Sequence, residues 1–235
     1  MAQPSGAHVA LVGPDAVRFA IDVRNATRVS ALLQAPAAAR ALLVLAHGAG
    51  AGMTHPFMAA LADALAARAV ATMRYQFPFM EAGGRRPDGP AVAQATVRAA
   101  VDAARARCPD LRLYAGGKSF GGRMTSQAQA QLPLPAVRGL VFVGFPLHPA
   151  GKPSVARADH LAGVDVPMLF LQGTRDELAG LALLAPVVDA LGARARLHVV
   201  DDADHAFHVR RASGRDDAAV IGELADATAR FVAGG

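Results

Sequence analysis

The chain has 235 residues, 53% of them hydrophobic and 18% charged, which allows a sizeable packed core and excludes wholesale disorder. Lys and Arg outnumber Asp and Glu by 24 to 19, but no run of like charges and no paired Cys/His spacing indicates a nucleic-acid partner. The single cysteine, the absence of a long apolar stretch and an N-terminus without signal-peptide features predict a cytoplasmic protein with no membrane partner.

The predicted elements are short apolar strands that alternate with longer alanine-rich helices. The first ~35 residues contain VRFAIDV and RVSALLQ, which predict antiparallel strands at the start of the sheet. Later strands are predicted at 41–46, 70–75, 111–115, 139–143, 168–171 and 197–200, and helices at 57–67, 91–106, after Ser119 up to about 131, from about 178 to 191, and at 217–232.

This order of elements is typical of an α/β fold. Continuous apolar strands that alternate with helices predict a mostly parallel sheet with helices on both faces. No linker rich in Ser, Gly or Pro divides the chain. We therefore predict a single domain over residues 1–235, whose first ~15 residues are poorly ordered.

The segment AGGKSFGGR at 115–123 has two possible interpretations. A phosphate-binding loop would follow G-x-x-x-x-G-K-[ST], but Arg112 stands where the first glycine is needed. An upstream dinucleotide pattern fails similarly, because its third glycine would fall at Met53. The stretch GKSFG at 117–121 instead matches G-x-S-x-G, a sharp strand-to-helix turn that exposes Ser119 as a nucleophile. No cofactor is therefore predicted.

The order nucleophile, acid, base, with each residue after a strand, favours the nucleophile interpretation. Asp176 follows the strand MLFL and is the predicted acid, although a helix N-cap would also explain it. His205 follows the strand LHVV and is the predicted base, with His208 as a weaker alternative. His205 would take the proton of Ser119, and Asp176 would fix the tautomer of the imidazole. A metal pair of His205 and His208 lacks a third ligand, so no metal is predicted.

Backbone N–H groups would stabilise the oxyanion formed in such a reaction. The predicted donors are Phe120, which follows the nucleophile, and either Ala49 or Gly50 in the glycine-rich loop after strand 41–46. Candidate pocket walls, for which core packing is an equally good explanation, are Met53, Phe57, Phe77, Phe79 and Met80. Lys118 is a further candidate for substrate binding, for which a solvated surface charge is the alternative.

Four segments together resemble the α/β-hydrolase family: HGAGA at 47–51, GKSFGG at 117–122, LQGTRDELA at 171–179 and DADHAF at 202–207. Within that family the chain resembles the dienelactone-hydrolase-like branch, although those enzymes use a cysteine nucleophile. MRYQFPFME and GFPLHPAGKP give a narrower resemblance, to the group that includes a testis-expressed protein and a scaffold subunit of a histone-acetyltransferase complex. The resemblance implies an α/β-hydrolase fold, and residues 146–167 are too few for a large lid domain.

The predicted function is that of a serine hydrolase acting on a small-molecule acyl substrate: an ester, thioester or amide cleaved through an acyl-enzyme on Ser119. Two alternatives remain open. The same residues would serve an acyltransferase with an acceptor other than water. The resemblance to a complex subunit implies a non-catalytic interaction module instead. The sequence gives no indication of oligomeric state.

Overall fold

The computed structural model describes residues 16–24 and 27–234, and the expectation for residues 1–15 lies outside them. Within this part the strands are β1 (Val17–Asp22), β2 (Arg28–Gln34), β3 (Ala41–Ala46), β4 (Val70–Tyr75), β5 (Arg112–Lys118), β6 (Val137–Val143), β7 (Met168–Gly173) and β8 (Ala195–Val200). The helices are α1 (Pro56–Ala66), α2 (Pro78–Glu81), α3 (Pro90–Arg107), α4 (Phe120–Gln131), α5 (Leu181–Ala190) and α6 (Asp217–Ala233). Short 3-10 helices lie at Ala156–Gly163, Gly192–Arg194 and Arg211–Ser213.

One mixed sheet contains all eight of these strands, in the order β1-β2-β4-β3-β5-β6-β7-β8. β1 pairs with β2 and β2 with β4 antiparallel, whereas every other neighbouring pair is parallel. The predicted fold class is confirmed, including the antiparallel start of the sheet.

The sheet separates two hydrophobic cores because successive side chains of a strand point to opposite faces. In β3, Leu42 and Val44 belong to the core that α3, α4 and α5 cover. Leu43 and Leu45 belong to the core that α1 and α6 cover. Helices therefore cover both faces, and the carboxyl ends of the parallel strands are left to carry loops.

Three predicted boundaries were wrong near the ends that carry those loops. β7 continues to Gly173 instead of ending at residue 171, because Gln172 and Gly173 still pair with β8. β5 continues to Lys118 instead of ending at residue 115, because Gly116 and Gly117 still pair with both neighbouring strands. α5 begins at Leu181 and not near residue 178, which leaves residues 174–180 as a loop. The connection between β6 and β7, residues 144–167, holds only the short 3-10 helix Ala156–Gly163 and no large lid domain.

Candidate active site

Ser119 lies at the turn between β5 and α4. Its backbone has φ 49° and ψ −115°, a conformation that non-glycine residues rarely adopt and that exposed nucleophiles use. Two glycines let this turn approach the end of β3: a Cβ on Gly117 would lie 2.4 Å from the carbonyl oxygen of Ala46, and one on Gly121 would lie 2.5 Å from that of His47. The G-x-S-x-G spacing therefore reflects close packing against β3.

The structure brings Ser119, His205 and Asp176 together from three different loops. His205 Nε2 lies 2.9 Å from Ser119 Oγ, and His205 Nδ1 lies 2.7 Å from Asp176 Oδ2. The Asp176 side chain is fully buried, whereas about a quarter of the His205 side chain, 24%, is exposed. Each side chain comes from the carboxyl end of a parallel strand, β5, β7 or β8, which explains why the three meet.

Asp176 is held as a carboxylate. Burial alone would raise its pKa, but the hydrogen bond and charge of His205, the Leu178 N–H and Gln172 Nε2 together hold the pKa below its ordinary value. Leu178 N donates to Oδ1 at 2.8 Å, and Gln172 Nε2 donates to Oδ2 at 2.6 Å. The N-cap of α5 is Gly180, so the alternative interpretation of Asp176 as that helix's N-cap was wrong.

A carboxylate beside Nδ1 determines which nitrogen of His205 carries the proton. Nδ1 must donate to Asp176, which leaves the lone pair of Nε2 facing Ser119 Oγ. This arrangement can accept a proton from the serine hydroxyl. His208, the weaker alternative base, is exposed and pairs with Asp217 through Nδ1 and Oδ2 at 2.5 Å.

His47 connects the glycine-rich loop after β3 to the loop after β4. Its Nε2 accepts a hydrogen bond from Phe77 N–H at 3.0 Å, so the proton on Nδ1 is donated to Gly48 O at 2.7 Å. Burial lowers the pKa of His47, which keeps the ring neutral as this pattern requires. We did not predict this role from the sequence, although a histidine at a strand end directly before G-x-G was a visible signal.

Gln76 extends the same connection. Its Oε1 accepts from Met53 N–H at 2.8 Å, and a Cβ on Gly52 would lie 2.7 Å from that oxygen. The loop that contains Ala49 and Gly50 is thus held at both ends, by His47 and by Gln76. Fixed N–H donors at such a position are what oxyanion stabilisation requires.

Lys118 joins the serine turn to the histidine loop. Its Nζ donates to the backbone carbonyl of His205 at 2.5 Å and lies 5.3 Å from the centre of the Phe207 ring. Burial lowers the pKa of Lys118 to about 8, although the charges of Asp176 and Asp204 act in the opposite direction. The side chain is therefore a half-buried ammonium at neutral pH.

A mostly apolar cavity of about 300 Å³ lies over Ser119 and His205. Among the predicted residues, Ala49, Gly50, Phe57 and Lys118 line it. Both candidates for the second oxyanion donor are thus at its wall. The N-terminus of α4, which begins with Phe120, starts directly after Ser119.

Four predicted wall residues, Met53, Phe77, Phe79 and Met80, do not line this cavity. Met53, Phe77 and Phe79 are buried, with 1%, 0% and 7% of their surface exposed. The Phe77 ring contacts those of His47 and Phe120 edge-on, with ring centres 5.0 Å and 5.3 Å apart. These side chains form the packed support beneath the loops, so their assignment as pocket walls is corrected.

Neither a metal centre nor a membrane span is found in the described ranges. No group of three or more His, Cys, Asp or Glu side chains within 16–24 and 27–234 could hold a metal ion. No helix in that part of the chain is long and apolar enough to cross a bilayer.

Residues 39–233 match the model of a protein family described as alpha/beta hydrolase domain. The structure is similar to a dienelactone hydrolase from Anabaena variabilis, with a TM-score of 0.73 and 18% identity over 93% of this chain and 97% of that one. It is also similar to a serine hydrolase without a lid from Xanthomonas campestris, with a TM-score of 0.71 and 21% identity over 94% and 97%. A third similar structure is the esterase domain of a Rhodothermus marinus protein, with a TM-score of 0.68 and 16% identity over 93% and 99%. Because these identities are low, the similarity to the three structures is a similarity of fold.

Proposed function

Because the chain belongs to the alpha/beta hydrolase domain family, we propose that it is a serine hydrolase that cleaves a small ester, thioester or amide through an acyl-enzyme on Ser119. The observation that supports this most is the continuous chain of hydrogen bonds from Asp176 through His205 to Ser119 Oγ. The names of the similar structures, an esterase and a dienelactone hydrolase among them, agree with an ester substrate.

In the proposed reaction, His205 Nε2 removes the proton of Ser119 Oγ as that oxygen attacks the acyl carbonyl. The Asp176 carboxylate stabilises the imidazolium that forms. Backbone N–H groups of Phe120 and of Ala49 or Gly50 then stabilise the negative carbonyl oxygen. His205 gives its proton to the leaving alcohol, thiol or amine, and water attacks the acyl-enzyme by the reverse sequence.

Two other interpretations stand beside this proposal. Transfer of the acyl group to an acceptor other than water would use the same side chains. The narrower resemblance to the histone-acetyltransferase-complex group stays a prediction, and with it the hypothesis of a non-catalytic interaction module. A degenerate module has no need for Ser119, His205 and Asp176 to keep hydrogen-bond geometry, which favours the enzyme.

Labelling by a fluorophosphonate tests the proposal, because this probe modifies serines that a neighbouring base activates. We expect one adduct in the intact mass of the wild-type protein and none on Ser119→Ala or His205→Ala. Ser154→Ala, which removes a serine from an exposed loop, is the matched control and should label fully. Absence of an adduct on folded wild-type protein would overturn the enzyme hypothesis and favour the interaction module.

Replacing Lys118 by Met should lower kcat about ten- to a hundredfold with little change in KM, because a charge-assisted bond to the loop of His205 is lost. In the wild type, the half-buried ammonium loses its proton as the pH rises through about 8, and the neutral amine donates more weakly. We therefore expect kcat to fall above that pH in the wild type and not in Lys118→Met.

The measurement is kcat against pH for one ester in a pH-stat, with Lys152→Met as the matched control. Lys152 is exposed in the loop after β6, so its variant should keep both the rate and the alkaline decline of the wild type. A Lys118→Met variant with wild-type kcat and the same alkaline decline would contradict the prediction.

A further inference from the structure

A second cavity, of about 600 Å³, opens beside the one over Ser119. It lies between α1 and the start of α6 and is called the side groove below. His55, Phe57 and Ala206 line both cavities. The side groove is therefore a continuation of the catalytic pocket and is open to a molecule bound there.

The side groove is lined mainly by apolar atoms of small or flat side chains. Ala60 on α1, Ala206 after the base, and Ala218 on α6 are exposed, and Ile221 is half-buried beside them. Contiguous exposed apolar surface beside a reactive centre typically marks a ligand site.

Phe57 forms the boundary between the two cavities. Its ring stacks on the fully buried ring of Phe207, with centres 5.9 Å apart and an angle of 23° between the planes. Phe207 belongs to the same loop as His205. The aromatic wall is thus fixed relative to the base, as a specificity-determining wall must be.

The chemistry of the proposed reaction decides which half of a substrate would enter the side groove. His205 must give its proton to the leaving atom, so the leaving group lies on the His205 side of Ser119. Ala206 follows His205 directly and lines both cavities. A chain attached to the leaving atom is therefore directed over Ala206 and Phe57.

On this basis, and on the proposed function above, we propose that the side groove binds the unbranched alkyl chain of the leaving alcohol. The substrate class is then an ester of a medium-chain alcohol. Polar side chains also line the side groove, namely those of His208, Asp217 and Asp63. These polar side chains limit the length of chain that gains from burial.

Two ester series measured on the wild-type protein test the assignment. For ethyl, butyl, hexyl and octyl acetate, kcat/KM should rise about two- to fourfold per added methylene until the chain reaches the polar side chains of the groove. For the methyl esters of acetic, butanoic, hexanoic and octanoic acid, in which only the acyl chain grows, kcat/KM should not rise in this way. A rise with the acyl chain instead, or with neither chain, overturns the proposal.

Groove-filling variants locate the effect. Ala60→Leu and Ala218→Leu should remove most of the gain for hexyl acetate and leave ethyl acetate turnover unchanged. Ala219→Leu is the matched control, because Ala219 is exposed on the same turn of α6 but does not line the side groove. If the gain in kcat/KM for hexyl acetate over ethyl acetate were equal in Ala218→Leu and Ala219→Leu, the proposal would be overturned.

A binding measurement distinguishes failure of this inference from failure of the proposed function. In a Ser119→Ala background, saturation-transfer NMR should detect octan-1-ol on the protein and on Ala219→Leu, and much less on Ala218→Leu. If no ester is hydrolysed, the proposed function fails. The NMR measurement still decides whether the side groove binds an alkyl chain. A dimer that Ala218→Leu dissociates, seen by light scattering, would show that a second copy occupies the groove and would overturn the inference.

Discussion

An Asp176→Asn variant is expected to fold as the wild type does and to lose about 10⁴-fold in kcat. Asp176 Oδ2 accepts hydrogen bonds from both His205 Nδ1 and Gln172 Nε2, and Oδ1 accepts from Leu178 N–H. An amide NH₂ in place of Oδ2 would force Nδ1 of His205 to accept a hydrogen bond, which moves the imidazole proton to Nε2. That nitrogen could then no longer take the proton of Ser119. In the other orientation of the amide, the NH₂ would take the place of Oδ1 and oppose the Leu178 N–H.

The variant is measured by kcat and kcat/KM on one ester, by melting temperature and by the rate of fluorophosphonate labelling. Asp201→Asn is the matched control: Asp201 is exposed in the loop after β8 and is not adjacent to the imidazole. It should keep wild-type values in all three measurements. An Asp176→Asn protein that retained more than about a tenth of kcat would refute the role of Asp176 in fixing the tautomer.

A Gly116→Ala variant should lower the free energy of unfolding by more than about 3 kcal/mol or prevent folding. A Cβ at this position would lie 1.9 Å from the carbonyl oxygen of Val141 on β6. Gly116 also pairs with Leu45 on β3, so the strand cannot move away without breaking its other ladder. The clash is with backbone, which a change of side-chain rotamer cannot relieve.

Urea unfolding followed by circular dichroism gives the measurement, with soluble yield as the first indication. Gly163→Ala is the matched control, because the nearest atom to its added Cβ is 3.9 Å away, an ordinary contact. That variant should stay within about 1 kcal/mol of the wild type. Wild-type stability of Gly116→Ala would mean that β5 and β6 are farther apart than the structure has them.

The strands of the parallel sheet and the three central side chains were predictable from sequence because their signals are local. An apolar run such as 41–46 specifies a buried strand, and Ser119, Asp176 and His205 each lie within a few residues after a predicted strand. Parallel strands bring their carboxyl ends to one edge, so residues distant in the chain meet there.

The role of the loop after β4 was not predictable in this way. Phe77 and Phe79 have the composition of a pocket wall, but their positions depend on partners 30 and 9 residues away in the chain. Phe77 N–H bonds to His47, and Phe79 N–H bonds to Asp88 Oδ2 at 3.1 Å. Both rings are buried, and the sequence pattern within the loop does not predict these two hydrogen bonds. The side groove is equally non-local, since it forms only where α1 meets α6.

The neutral imidazole of His47 makes the fold sensitive to acid. Its two hydrogen bonds need one donor and one acceptor, so a proton on Nε2 would oppose the Phe77 N–H. Because burial lowers the pKa of His47, the unfolded chain takes up a proton at a higher pH than the folded chain does. Unfolding is therefore favoured progressively as the pH falls below the ordinary histidine pKa. His160, whose pKa burial and the charge of Arg123 lower to about 4, adds to the same penalty. The loop that carries the candidate oxyanion donors Ala49 and Gly50 thus has an acid limit that arises from His47 and not from the proposed base.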